Sequence, residues 1–374
     1  MEFEMIIPCL FGVESFLSRE IKWLGIENTK AEDGRVCFKG TLRDMMNLNL
    51  WIRTGERVLI KVAEFDATDF DAFYDGIKNA PWSDFLPKDA RLSISGHCLK
   101  SKLSSSPRCR AITKKAIADS LGESYKIDRL EETGSEYEIR FSLFKDRVTL
   151  SIDTTGEGLH KRGYRAESNA APLRETLAAA MVYLSRWRYE DALLDPFAGS
   201  GTIAIEAAMI KRNIAPGLKR RFLFENYEFC DSVLLEELKA EAKEKEKDVP
   251  LDITAVDIDE ECVSLIKQNA EKAGVADYIK AVCSDAREFL PERKGGTIIT
   301  NPPYGERLLD KDECKKLYRE FGKKFFSYHS WSAYILASDE EFEKSFGRKA
   351  QKTRKLYNGM IPCRVYQYFE ARKK

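Results

Sequence analysis

No apolar run in this sequence approaches the roughly eighteen residues that a membrane-spanning helix needs, which argues against an integral helical membrane protein. The opening stretch, MEFEMIIPCLFGVE, has no basic residue of the kind that begins a secretion signal and carries Glu2 and Glu4 instead. Metal-site spacing is missing too. The nine cysteines are scattered, odd in number, and nowhere form a C-x-x-C pair. No metal is therefore expected, and reduced, buried thiols in a cytoplasmic protein are. Nor is there an excess of charge of either sign. Lys and Arg number 61 against 61 Asp and Glu, so any nucleic-acid surface must be a local patch.

The 374 residues suffice for two or three domains, with ordinary apolar and charged fractions. The first half reads as two small α/β units. Residues 3–62 alternate strand and helix (3–7, 13–24, 35–38, 41–51, 57–62), a ferredoxin-like pattern for a domain over residues 1–65. A second unit, over residues 66–158, has a helix at 69–79, a strand at 91–98, a further helix, and a strand pair at 138–143 and 147–153. Between His97 and Ala118 lie Lys100, Lys102, Arg108, Arg110, Lys114 and Lys115, and no acid. Ser104-Ser105-Ser106-Pro107 leads into a helix with Arg108 and Arg110 in its first turn, where they oppose the macrodipole. Such a start suits an anion, phosphate above all, the alternative being a solvated charged face. LHKRGYR, at 159–165, is short, basic and aromatic. Lys161, Arg162 and Arg165 could pair with phosphates while Tyr164 stacks; an interdomain linker held by ion pairs is the other reading.

The second half, residues 159–374, is organised around ALLDPFAGSGTIAIEAAM at 192–209. Pro196 cannot donate to a strand ladder, so a strand ends at Asp195. Gly199 and Gly201 allow a tight turn, and an Ala-rich helix follows whose free N–H groups face whatever lies over the turn. Residues 199–204 formally fit the G-x-G-x-x-A dinucleotide pattern, but the acid expected about twenty residues on is missing. Asp195 also puts a carboxylate where a pyrophosphate would approach. It suits a cation better. The motif DPFAGSGT resembles motif I of S-adenosylmethionine-dependent methyltransferases, whose cofactor carries a sulfonium and an ammonium.

A charged insertion, residues 213–249, comes next and suggests no chemistry. A second core strand ends at Asp257, placed to accept from ribose hydroxyls. Helix 261–273, strand 278–284 leading into Asp285-Ala286, and strand 297–300 continue a parallel series. After helix 315–326 and strand 332–337, a terminal strand pair turns at Asn358-Gly359. The expected class is a doubly wound, Rossmann-like sheet with an antiparallel edge hairpin.

Directly after the fourth strand stands Asn301-Pro302-Pro303-Tyr304. Two prolines fix φ and remove two donors, and Asn301 adds a side-chain carbonyl. The result is a stiff cup of acceptors beside an aromatic ring, suited to a planar group with an exocyclic NH2. Acceptors on the amino hydrogens aim its lone pair at the methyl donor, while Tyr304 stacks on the ring for about 1–3 kcal/mol.

DPFAGSGT with NPPYGERL, preceded by LHKRGYR and AAPLRETLA, resembles the bacterial THUMP-domain ribosomal RNA guanine-N2-methyltransferases, the RlmL N-terminal or YpsC-like group. The resemblance covers nearly the whole chain. It implies a ferredoxin-like and THUMP RNA-binding front half, a class I methyltransferase domain, and S-adenosylmethionine as cofactor. Asp195, Gly199 and Gly201 would form the cofactor loop with Pro196, Phe197, Ser200 and Thr202. Asp257, with Ile258, would take the ribose; Asp285, with Ala286, the adenine amino group; Asn301 to Tyr304 would be catalytic, Asn301 also touching the cofactor. Larger relatives fuse a second methyltransferase, so only the guanine-N2 activity would carry over, on ribosomal RNA, 23S above all. The alternatives are transfer RNA, adenine in DNA, glutamine in protein, and a non-catalytic RNA-binding assembly factor.

Overall fold

The computed structural model describes residues 2–165, 173–304, 310–328 and 330–369. The first half folds as β1 (Glu2–Pro8), α1 (Glu14–Trp23), β2 (Thr29–Glu32), β3 (Arg35–Thr41), α2 (Leu42–Trp51), β4 (Leu59–Asp66), α3 (Phe70–Lys78), β5 (Arg91–Leu99), α4 (Ser106–Tyr125), β6 (Glu136–Phe144) and β7 (Arg147–Asp153). Local chemistry explains several boundaries. Thr41 and Asp44 form a reciprocal capping box at the start of α2, and Asp69 caps α3. The short strand β2 escaped the sequence reading, because Thr-Lys-Ala-Glu has no apolar alternation and, at the sheet's edge, pairs only with β3.

The two expected front units share one seven-stranded sheet, in the order β2-β3-β1-β4-β7-β6-β5. β4 pairs with both β1 and β7, so residue 65 falls inside a strand that joins the two. A single apolar core lies under them, from Phe3 and Met5 through Phe73 and Ile117 to Phe141.

The second half comprises α5 (Glu175–Ser185), β8 (Ala192–Asp195), α6 (Thr202–Lys211), α7 (Ser232–Glu244), β9 (Ile253–Asp257), α8 (Glu260–Ala273), β10 (Ile279–Cys283), β11 (Gly296–Thr300), α9 (Lys311–Phe325), β12 (Trp331–Ala337), α10 (Phe342–Phe346), β13 (Lys352–Asn358) and β14 (Ile361–Tyr368). Its sheet runs β10-β9-β8-β11-β12-β14-β13, with β14 alone reversed, so that its pairings with β12 and β13 are antiparallel and the others parallel. Successive strands leave β8 on opposite sides, so the order reverses between β8 and β11. In open α/β sheets that reversal opens a crevice at the carboxyl ends of the strands. The hairpin loop is Gly359-Met360 rather than Asn358-Gly359, because Asn358 still pairs with Ile361 and Gly359 supplies the positive φ of +64°.

The insertion is not a mere surface feature. Phe222, Phe224, Tyr227, Leu235 and Leu238 belong to the core of the front half, and Arg43 of α2 pairs with Glu241 of α7. No described helix is long and apolar enough to cross a membrane.

Candidate active site

The turn after β8 is built as its sequence demands. Gly199 and Gly201 have φ of +53° and +82°, and a Cβ on Gly199 would meet nothing within 4 Å among the described residues. That open space, above the N-terminus of α6, fits a bound group approaching the backbone closely. Ser200 is held from behind, its carbonyl accepting from Asn269 Nδ2 at 2.9 Å. Phe197 packs edge-on against Phe321.

Asp257 ends β9 beside this turn. Its Oδ2 accepts from the Gly199 N–H at 2.8 Å and its Oδ1 from the Asp259 N–H at 3.1 Å. Ile258, next to it, is 65% exposed, an apolar side chain standing at the mouth of the crevice. Asp285 follows β10 and grips Arg287, whose Nε donates to both carboxylate oxygens at 2.9 Å. That hydrogen bonding holds the Asp285 carboxyl below its ordinary value. Ala286 is buried against the helices on that face.

Asp195 ends β8, and Asn301 directly follows the neighbouring parallel strand β11. Asp195 is fully buried; its Oδ1 accepts from Thr300 Oγ1 at 2.7 Å, while its Oδ2 has no partner. Burial pushes its carboxyl up to about 7, against the opposing pull of the Thr300 hydroxyl. Thr300 immediately precedes Asn301, so one hydrogen bond ties the root of the glycine turn to the root of the acceptor loop. Sequence reading missed Thr300, which looks like an ordinary strand residue.

In the acceptor loop the Asn301 Oδ1 is buried and unpartnered. Buried polar atoms without partners are rare and costly, which marks this one as an acceptor waiting for a donor. One acceptor of the expected cup is already used: Pro303 O accepts from Tyr318 OH at 2.6 Å. Tyr318 comes from α9 and is fully buried, so it sets the loop's position from beneath. The loop's buried acceptor without a partner among the described residues is Asn301 Oδ1, with the Pro302 carbonyl next to it in the chain. Tyr304 OH accepts from Asn358 Nδ2 at 2.5 Å, which fixes the ring from the edge hairpin. Residues 305–308 of the NPPYGERL stretch and 170–172 of AAPLRETLA lie outside the described residues.

The expected RNA-contacting residues divide. Lys100, Lys102, Arg108, Arg110, Lys114 and Lys115 are all exposed around the start of α4, whose first turn holds no acid. Lys114 is engaged by Glu132, and Arg108 lies 3.9 Å over the Phe70 ring; the other four have no ion pair among the described residues. LHKRGYR behaves differently. Arg162 is 4% exposed, with Nη1 on Leu159 O at 2.5 Å, Nη2 on Arg53 O at 2.6 Å and Nε 3.4 Å from Glu206. Tyr164 is buried and donates to Glu206 at 3.2 Å, so it stacks on no base. Arg162 is therefore a staple between the halves and not an RNA contact. Arg165 donates to Thr202 Oγ1 at 3.0 Å and pairs with Glu175, turned inward to the start of α6. Of the basic residues in LHKRGYR, Lys161 alone is exposed, and Glu157 holds it.

Comparison with known proteins agrees with this geometry. Residues 162–367 match the model of the RMKL-like methyltransferase domain. The chain belongs to that family. Residues 4–59 match the RlmL ferredoxin-like domain and 67–153 the THUMP domain. The chain is 42% identical over 98% of its length, and 96% of the relative's, to a Bacillus subtilis protein named "Putative RNA methyltransferase YpsC". It is 36% identical to the ribosomal RNA large subunit methyltransferase K/L of Psychromonas ingrahamii, over 97% of this chain but 49% of that protein, so it spans about half the length of such relatives. The crystal structure of SMU.472, solved in complex with SAH, is 39% identical and superposes with a TM-score of 0.94 over 100% of this chain and 99% of that one. SAH, S-adenosylhomocysteine, is what S-adenosylmethionine becomes on losing its methyl. The family is S-adenosylmethionine-dependent, and the open cradle over Gly199 with the acids ending β8, β9 and β10 fits that cofactor.

Proposed function

We propose that this protein methylates the exocyclic N2 of a guanine in RNA, with 23S ribosomal RNA as the expected substrate. The observation that carries the reading is the buried, unpartnered Asn301 Oδ1 beside the Pro302 carbonyl, one strand from the glycine turn. Two acceptors at one point suit a group with two hydrogens on one nitrogen. When bound, S-adenosylmethionine supplies an activated methyl. Asn301 and Pro302 hold the amine by its hydrogens and turn its lone pair toward the crevice; Tyr304, steadied by Asn358, stacks on the base. Such a displacement needs positioning more than a general base. A paired guanine must first be swung out of its helix to reach the loop. The exposed basic start of α4 and the ribosomal RNA acted on by the K/L relatives support RNA over DNA or protein.

Separating the two halves of the site tests this. Asn301→Ala is expected to keep cofactor affinity within about twofold and to lose turnover by about a hundredfold or more, the scale of losing one positioned polar group. Asp257→Ala is expected to weaken the cofactor instead. Calorimetry and kinetics showing the reverse pattern contradict the assignment.

A further inference from the structure

The edge hairpin carries a feature that the site above does not absorb. From Lys344 to Phe369 the sequence holds Lys344, Arg348, Lys349, Lys352, Arg354, Lys355 and Arg364, and no acid. Arg354 is spent on the front half, donating to Gly12 O at 3.0 Å and lying 4.7 Å over the Phe16 ring. Lys355 and Arg364 are exposed and stand directly opposite each other on β13 and β14. Like charges in that position are destabilising. Asp339, Glu340 and Glu343 are the acids nearby, acting on Tyr366, yet none pairs with Lys355 or Arg364 among the described residues.

Register places this pair at the mouth of the site. Arg364 lies opposite Ala337, the last residue of β12. Three more cross-strand pairs, Leu356–Cys363, Tyr357–Pro362 and Asn358–Ile361, continue past that carboxyl edge. The overhang is roughly 10 Å at about 3.3 Å per residue. It runs alongside the acceptor loop, since Asn358 at its end holds Tyr304. The tip residue Met360 is 95% exposed, and Phe11, 55% exposed, meets Tyr357 at 6.0 Å.

We propose that this hairpin is a second RNA contact, a wall of the active site. Lys355 and Arg364 clasp a phosphate of the strand flanking the nucleotide held by Asn301, and Met360 packs on an adjacent base. Lys355 Nζ lies 5.3 Å over the Tyr357 ring, yet no acid among the described residues pairs with it or with Arg364, and an anion across this like-charge pair removes the repulsion. The proposal rests on RNA being the substrate.

The test is Lys355→Gln with Arg364→Gln in the full chain, with deproteinised 23S ribosomal RNA as probe. The RNA Kd is expected to rise about tenfold, and the slope of log K against log salt to shrink by about 0.7, the value for one single-strand phosphate neutralised. Cofactor affinity is expected to stay unchanged and the Tm to hold or rise, since a repulsion is removed. An unchanged slope overturns the proposal. So does a falling Tm with lost cofactor binding, which assigns the pair a structural role, or a loss seen only on protein-containing ribosomal particles, which assigns it to a protein partner. If the wild-type chain itself binds no RNA, the underlying substrate reading falls, a result distinct from a variant that binds as well as wild type.

Discussion

Asp195 illustrates how one side chain can be legible in kind and illegible in state. Its position before Pro196 and the glycine turn points to a carboxylate near a cation. Its burial and its bond to Thr300 emerge only from the fold. Folding raises its pKa from 3.8 to about 7, so the stability tied to its neutral form is intact below about pH 4 and is lost as pH rises toward 7. A sulfonium or ammonium bound nearby favours the ionised form and pulls the value back down. Cofactor binding near pH 6.5 is therefore expected to release protons. Titration calorimetry in two buffers of different ionisation enthalpy measures this. The account expects a net release that disappears in Asp195→Asn; an equal release in the variant contradicts it. Asn301 and Tyr304 were readable because N-P-P-Y is so restrictive a string. Thr300, Tyr318 and Asn358, which hold that loop, carry no local signature, because their roles depend on contacts from separate elements.

Elements follow the sequence closely wherever apolar period and punctuation agree. β8 stops at Asp195 before Pro196, and α8 ends at Ala273 with Gly274 at φ +77°. β7 spans the expected residues 147–153, an alternating run between turn residues. Where the pattern is weak, as in β2, the strand exists only because a neighbour offers it hydrogen bonds. The turn between β8 and α6 is the most demanding element. A Cβ at Gly201 would sit 3.1 Å from Ile266 Cγ2 in a left-handed backbone. Gly201→Ala is expected to cost about 1–2 kcal/mol from the backbone alone. That lowers the Tm by about 2–8 °C and weakens the cofactor, because the start of α6 must shift. A melting curve superposing on wild type removes the turn from the argument.

Joining the two halves is the part of the design least visible in the sequence. LHKRGYR reads equally well as an RNA contact or a linker, and burial decides for Arg162. A guanidinium paired with the fully buried Glu206, and bonded to the carbonyls of Leu159 and Arg53, cannot face a phosphate. The later part of the insertion, residues 234–248, looks like a solvated helix because its charges outnumber its apolar residues, yet Leu235 and Leu238 close the front core. Arg53 reaches Ile214 O at 2.7 Å, and Arg354 reaches back to Gly12. These ties hold the basic start of α4 and the acceptor loop in one molecule, as the proposed function requires if RNA held by one is to be presented to the other. The most direct measurement is methyl transfer itself. The full chain is incubated with labelled S-adenosylmethionine and, separately, ribosomal RNA, transfer RNA, DNA and protein, and each product is digested to its monomers. The account predicts label in N2-methylguanosine from ribosomal RNA; label confined to N6-methyladenine in DNA or to glutamine, or no transfer to any of the four, contradicts it.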